Sequence, residues 1–155
     1  MAVQRLSVAN LNGLYAVPIM HGAEEASSTF VAGDPLIVSN TAGQIEEAAT
    51  EPVNNILGIA NEPASGVPGG DIEYVPAIPG VIFEGNIGTS ISAGAIAAAD
   101  LYALYPLQLA TGDWFVDKTD NTNPCVRVVG FKDPVGTVNG RVYFMFLTDT
   151  TAFAN

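Results

Sequence analysis

The chain is short of nearly everything a reactive protein uses. It has one cysteine, Cys125, and one histidine, His21, in 155 residues. A lone cysteine excludes an intrachain disulfide, so the fold is not a stapled small secreted module. A thiol nucleophile needs an activating base, and His21 lies in a separate region of the chain, so Cys125 beside Val126 is read as strand packing. Bases are scarce too: 5 Lys and Arg stand against 16 Asp and Glu, for a net charge of −11, and neither base occurs between Leu6 and Asp117. That balance argues against nucleic acid or an anionic membrane as a direct ligand, since each needs a basic footprint. No apolar run reaches the roughly 20 residues of a membrane-crossing helix. Asn10, Asn12 and Gly13 also interrupt the apolar stretch that a signal peptide would require.

Apolar side chains and turn residues are plentiful instead. A 48% apolar content with only 14% charged residues is enough to bury one core against the entropy of folding. Short apolar runs recur between turn signals: Pro35 to Ser39, Gln44 to Ala48, Ile56 to Asn61, Asp71 to Val75 and Val81 to Ile87, then Leu101 to Leu104, Trp114 to Asp117, Cys125 to Phe131 and Val142 to Leu147. Ala95 to Ala99 favour a short helical turn before Asp100. About ten strands with little helix predict an all-β barrel or sandwich.

The order of these signals runs twice. Over about 33–75, Gly-Asp opens an apolar run, Gly43 centres a turn, and Leu57-Gly58-Ile59, Glu62-Pro63 and Gly70-Asp71-Ile72 follow. Over about 99–145, Asp100, Thr111-Gly112-Asp113, Val129-Gly130-Phe131, Asp133-Pro134 and Gly140-Arg141-Val142 repeat that order. The expectation is a domain over 31–148 built from two similar halves, with a loose tail at 149–155. Residues 1–30 lack a helical period and read as an extended arm, with one short strand near Gly13 to Ile19. Its apolar residues Leu6, Val8, Leu11, Leu14, Tyr15, Val17 and Ile19 are the candidate contacts to a capsid or to other subunits.

Other side chains with possible chemistry fit ordinary structural roles. Asp117 to Asn123 offers oxygens to a hard cation, but its spacing matches no calcium loop, and Asp, Asn and Thr make turns by the same donors. Gly66, Gly69 and Gly70 are followed by no helix that could complete a phosphate cradle. Tyr102, Tyr105, Trp114 and Phe115 are assigned to the core ahead of a binding platform. Nucleophile, zinc, Walker and dinucleotide signatures are missing, so the expectation is a protein without enzymatic activity, cofactor or metal.

The run Gly33-Asp34-Pro35-Leu36-Ile37-Val38, Gly43-Gln44-Ile45, Ile56-Leu57-Gly58-Ile59-Ala60, Ile72-Glu73-Tyr74-Val75 and Pro79-Gly80-Val81-Ile82-Phe83-Glu84 resembles the capsid decoration (cement) proteins of tailed bacteriophages. Ala98-Ala99-Asp100-Leu101-Tyr102 and Val128-Val129-Gly130 extend the likeness, which covers 32–147. The resemblance implies a small β-barrel or β-tulip-like domain, trimeric by preference, on the exterior of the capsid head. It would be made in the host cytoplasm and would tie major capsid protein subunits together through its N-terminal arm. Another head or tail component, or a carbohydrate-binding barrel, is the alternative.

Overall fold

The computed structural model describes residues 4–9, 16–40, 43–88 and 94–154. Twelve strands run through them: β1 (Ser7–Val8), β2 (Met20–Ala23), β3 (Pro35–Val38), β4 (Ile45–Glu47), β5 (Ile56–Ala60), β6 (Asp71–Pro76), β7 (Phe83–Gly88), β8 (Leu104–Tyr105), β9 (Leu107–Ala110), β10 (Asp113–Asp117), β11 (Val126–Phe131) and β12 (Arg141–Phe146). The helical turn expected before Asp100 is a single 3-10 turn, Ala98–Asp100, and a second closes the chain at Thr148–Thr150. The fold is all-β, in two sheets.

The first sheet runs β8-β11-β12-β7-β10-β9, with β1 laid against β7. Since β8 and β9 are one stretch of chain broken at Pro106, its two ends meet and the sheet curls into a nearly closed barrel. The second sheet runs β2-β6-β5-β3-β4, and a parallel bridge from Glu24 to Ile45 brings its ends together. The wiring of the two is the same. In each, the first strand pairs with the fifth, the fifth with the fourth, the fourth with the second and the second with the third, all antiparallel. The third then returns to the first in parallel. Two similar halves are therefore present, and each begins one strand earlier than the sequence pattern marked, at Met20 and at Phe83.

Register fixes the correspondence residue by residue. Gly22 faces Ile72 as Gly85 faces Val142, and Ala60 faces Tyr74 as Val128 faces Phe144. The Glu24 N–H donates to the Gly70 carbonyl at 2.8 Å, as the Ile87 N–H does to Gly140 at 2.9 Å. Along the fourth strand the sequence alignment is corrected: Gly58 lies opposite Pro76 as Val126 lies opposite Phe146, so the counterpart of Gly58 is Val126 and not Gly130. Gly130 belongs to a bulge between Val128 and Gly130, a local device of β11.

Two cores follow from this layout. Phe30, Leu36, Ile45, Leu57, Ala60, Ile72 and Tyr74 fill the first barrel. The larger core joins Ile56, Ile59 and Val75 from that barrel to the interior of the second. There Phe83 packs edge-on against Phe146 at 5.2 Å and stacks with Phe144 at 5.9 Å. Every residue of β5 is buried, because one of its faces serves each core.

The described parts of 1–30 and 149–155 lie inside this body. Leu6 is buried in the larger core, β1 pairs with β7, and β2 is a working strand of the first barrel. Of the strand expected near 13–19, residues 13–15 lie outside the described residues and 16–19 form no strand; β2 begins at Met20. At the other end the Ala152 N–H donates to the Ile56 carbonyl at 2.9 Å and Phe153 packs against the first core, so the tail is tied down through residue 153.

Candidate interaction surface

Of the candidate contact residues, Leu11, Leu14 and Tyr15 lie outside the described residues. Leu6 is only 2% exposed and is spent on the core, and Val8 and Val17 are half-buried against it. Only Ile19 projects to solvent, joined by Met20 at the start of β2. Among the described residues of the N-terminal region, the Ile19–Met20 step carries the exposed large apolar side chains. A second exposed apolar patch, Leu101, Tyr102 and Leu104, lies beside β8, where Leu104 faces Arg127 across the ladder. Among the described residues Arg127 makes no ion pair, whereas Arg5, Lys118, Lys132 and Arg141 each have one.

Arg141 is the residue that sequence reasoning passed over. The residue is 3% exposed, and its guanidinium reaches the Gln4 and Arg5 carbonyls (3.3 and 3.2 Å), the Ser7 hydroxyl (3.0 Å) and the Glu84 carboxylate (3.2 Å). Asn86 completes the anchor by accepting the Gln4 N–H at 2.9 Å. Burial alone pushes the Glu84 carboxyl up, yet Lys132, Arg141 and the Ser7 hydroxyl together hold it below its ordinary value. One signal was available: a base at the head of the apolar strand Val142-Tyr143-Phe144, in a chain with only 5 bases, must find its partners indoors.

The other polar groups maintain the scaffold. Buried Glu24 accepts the Ser65 and Gly66 N–H groups at 2.7 and 3.1 Å. Buried Asp100 accepts the Ala97 N–H, the Tyr105 hydroxyl and the Lys118 ammonium, and burial beside it pushes the Tyr105 phenol up to about 12. Asp117 and Asp120 each accept both the N–H and the hydroxyl of the threonine two residues on, the turn geometry expected of that loop. Among the described residues no group of three or more His, Cys, Asp or Glu side chains is arranged to hold a metal. Cys125 is fully buried, which pushes its thiol up to about 12 and keeps the thiolate out of reach. His21 sits half-exposed, 2.9 Å from Asp71. Trp114 is 4% exposed and belongs to the larger core, so it presents no stacking face for a sugar or a base.

Acids gather where the first barrel closes. Glu25, Glu46 and Glu47 line a crevice of about 410 Å³ with Ser27, Ser28 and Ile37. Partial burial, then the hydrogen bond and charge of Glu25, then the charge of Glu47, raise the Glu46 carboxyl above its ordinary 4.5. An acid whose folded value is raised binds protons more readily folded than unfolded, so stability falls as pH rises through the window above 4.5. Glu46→Gln is expected to raise the urea midpoint at pH 7, with the gain vanishing below pH 4. A gain of equal size at both pH values would remove this assignment.

Comparison of the chain with protein-family models, with curated proteins and with solved structures finds no match in any of the three.

Proposed function

We propose that this chain is a structural virion protein that decorates the outside of a tailed-phage head, bridges neighbouring major capsid protein subunits and self-associates, with a trimer the preferred form. The observation that carries the reading is the ordered set of motifs over 32–147 that resembles cement proteins, of which Ile56–Ala60 is strand β5 and Ile72–Val75 lies on β6. Two barrels of one wiring, joined through the larger core, make a body that meets its surroundings through surface. Each copy that binds only the assembled lattice stabilises it by mass action, so many weak contacts suffice.

Within this reading the burial of Leu6 moves the capsid contact along the chain. Residues 4–9 are committed to the body, which leaves Ile19 and Met20, with Leu11, Leu14 and Tyr15 upstream, as the segment to engage a capsid edge. Co-sedimentation with expanded heads assembled without this protein tests the role. Expanded heads are expected to carry the protein down and unexpanded heads to leave it in solution. An Ile19→Asp/Met20→Asp variant that stays folded is expected to lose about tenfold or more in affinity. Failure of the unaltered protein to pellet with expanded heads would overturn the proposal.

A further inference from the structure

The two barrels share one wiring but do not close equally well. In the second, β7 and β10 run in parallel over three paired positions, Asn86 with Phe115, Ile87 with Val116 and Gly88 with Asp117. The Lys118 N–H then continues the ladder to the Gly88 carbonyl at 2.9 Å. In the first, the same seam has the single bridge from Glu24 to Ile45 and stops after the Glu25 N–H donates to the Ile45 carbonyl at 2.8 Å. The chain turns away at Ala26 and Ser27, and the Glu25 carbonyl, which a continuing ladder would give to Glu47, accepts the Ser28 hydroxyl at 3.1 Å.

This departure leaves strand-edge groups uncovered. The Ser39 N–H donates to Gln44 and the Ala48 N–H to Pro35, so alternation along β4 points the backbone of Ile45 and Glu47 away from β3 and into the seam. Ile45 is met there by Glu25; the N–H and C=O of Glu47 have no backbone partner among the described residues. An unpaired edge of this kind pairs with an added strand. The occupant's chemistry is set by the walls. Glu25, Glu46 and Glu47 line the crevice together with the apolar side chain of Ile37, and Arg5, which lines the neighbouring pocket beside Glu47, is paired with Asp34.

We propose that the seam beside β4 receives an extended segment of a partner protein, its backbone pairing with Glu47 and a lysine or arginine side chain reaching Glu25 and Glu46. The crevice, about 410 Å³, is of the size that holds ligands of a few residues. A bound ammonium or guanidinium would relieve the crowding of like charges and form charge-assisted hydrogen bonds. The site stands apart from the virion role, since it requires only a basic extended chain.

The test uses the full chain and an octapeptide alternating valine and lysine. Binding is followed by backbone amide chemical shifts, with head binding measured separately so that the two proposals fail independently. Shifts are expected to concentrate on Ala26–Ser28 and Ile45–Ala48, with the Glu47 amide newly protected from exchange. The double variant Glu25→Gln/Glu46→Gln is expected to weaken binding about tenfold. The same peptide methylated on alternate backbone nitrogens tests strand pairing on the unaltered protein, and it is expected not to bind. No binding by the basic peptide, shifts centred elsewhere, or equal binding by the methylated peptide would overturn the proposal.

Discussion

Deleting residues 1–9 is expected to cost the fold about 5 kcal/mol or more, enough to unfold a domain of ordinary stability. Two losses add. Leu6 leaves the larger core, where an added Cβ on Gly85 would strike it, and truncating a buried leucine costs about 2–5 kcal/mol. Arg141 loses the Gln4 and Arg5 carbonyls and the Ser7 hydroxyl, which leaves a buried guanidinium short of acceptors. Arg141→Met separates the second loss from the first and is expected to cost about 3 kcal/mol, because the Gln4 and Arg5 carbonyls and part of Glu84 then lose their donor together. Arg5→Ala is the control. Its partner Asp34 is met near the surface, with Arg5 half-exposed, so the cost should stay below about 1 kcal/mol. Urea unfolding followed by the fluorescence of Trp114, the only tryptophan, reads all three. A deletion variant as stable as the full chain would mean that the strand is an ornament and Arg141 finds other partners.

Gly58→Ala is the second large effect, at about 3 kcal/mol or more. Gly58 holds φ at +152°, and a Cβ there would overlap the Val75 carbonyl oxygen, which cannot move without breaking the β5–β6 ladder. Since β5 is buried on both faces, any displacement is felt in both cores. The paired position in the second barrel is Val126, and Val126→Ala should cost only the usual truncation of a buried valine, about 1–2 kcal/mol. Equal costs at the two positions would show that the close approach at Gly58 is relaxed by backbone shifts. The contrast also shows how two copies of one wiring diverge locally while keeping their register.

Much of this architecture could be read from the chain because turns and strands leave local marks. Gly43 and Gly112 centre the hairpins that join the second and third strands of each half. Gly70 and Gly140 enter the fifth strands at matching positions, and the turn at Ala98–Asp100 falls where the alanines place it, whereas the strand expected over Leu101 to Leu104 begins only at Leu104, because the chain turns at Leu101 and Tyr102, with Tyr102 at φ +65°. What escaped depends on partners distant in sequence. The first strand of the second unit is legible as Val81 to Ile87, but that of the first is not, because Met20-His21-Gly22-Ala23 has no alternation and gains its identity only by pairing with β6, about 50 residues away. Leu57-Gly58-Ile59 and Val129-Gly130-Phe131 are alike in sequence, whereas cross-strand pairing puts Val126 at the position of Gly58. A lack of periodicity suggests an arm, yet Leu6 is buried in the larger core and Ser7 is held by Arg141, more than a hundred residues downstream. The seam is equally hidden, since only comparison with the closed second barrel shows the strand edge at Glu47.

The thermal rupture of expanded heads, with and without added protein, bears most directly on the claim that this twin barrel works by holding a shell together. Heads assembled without the protein should release their DNA at a higher temperature once it is added in saturating amount, and the Ile19→Asp/Met20→Asp variant should confer little of that gain. An unchanged rupture temperature at saturation would contradict the account.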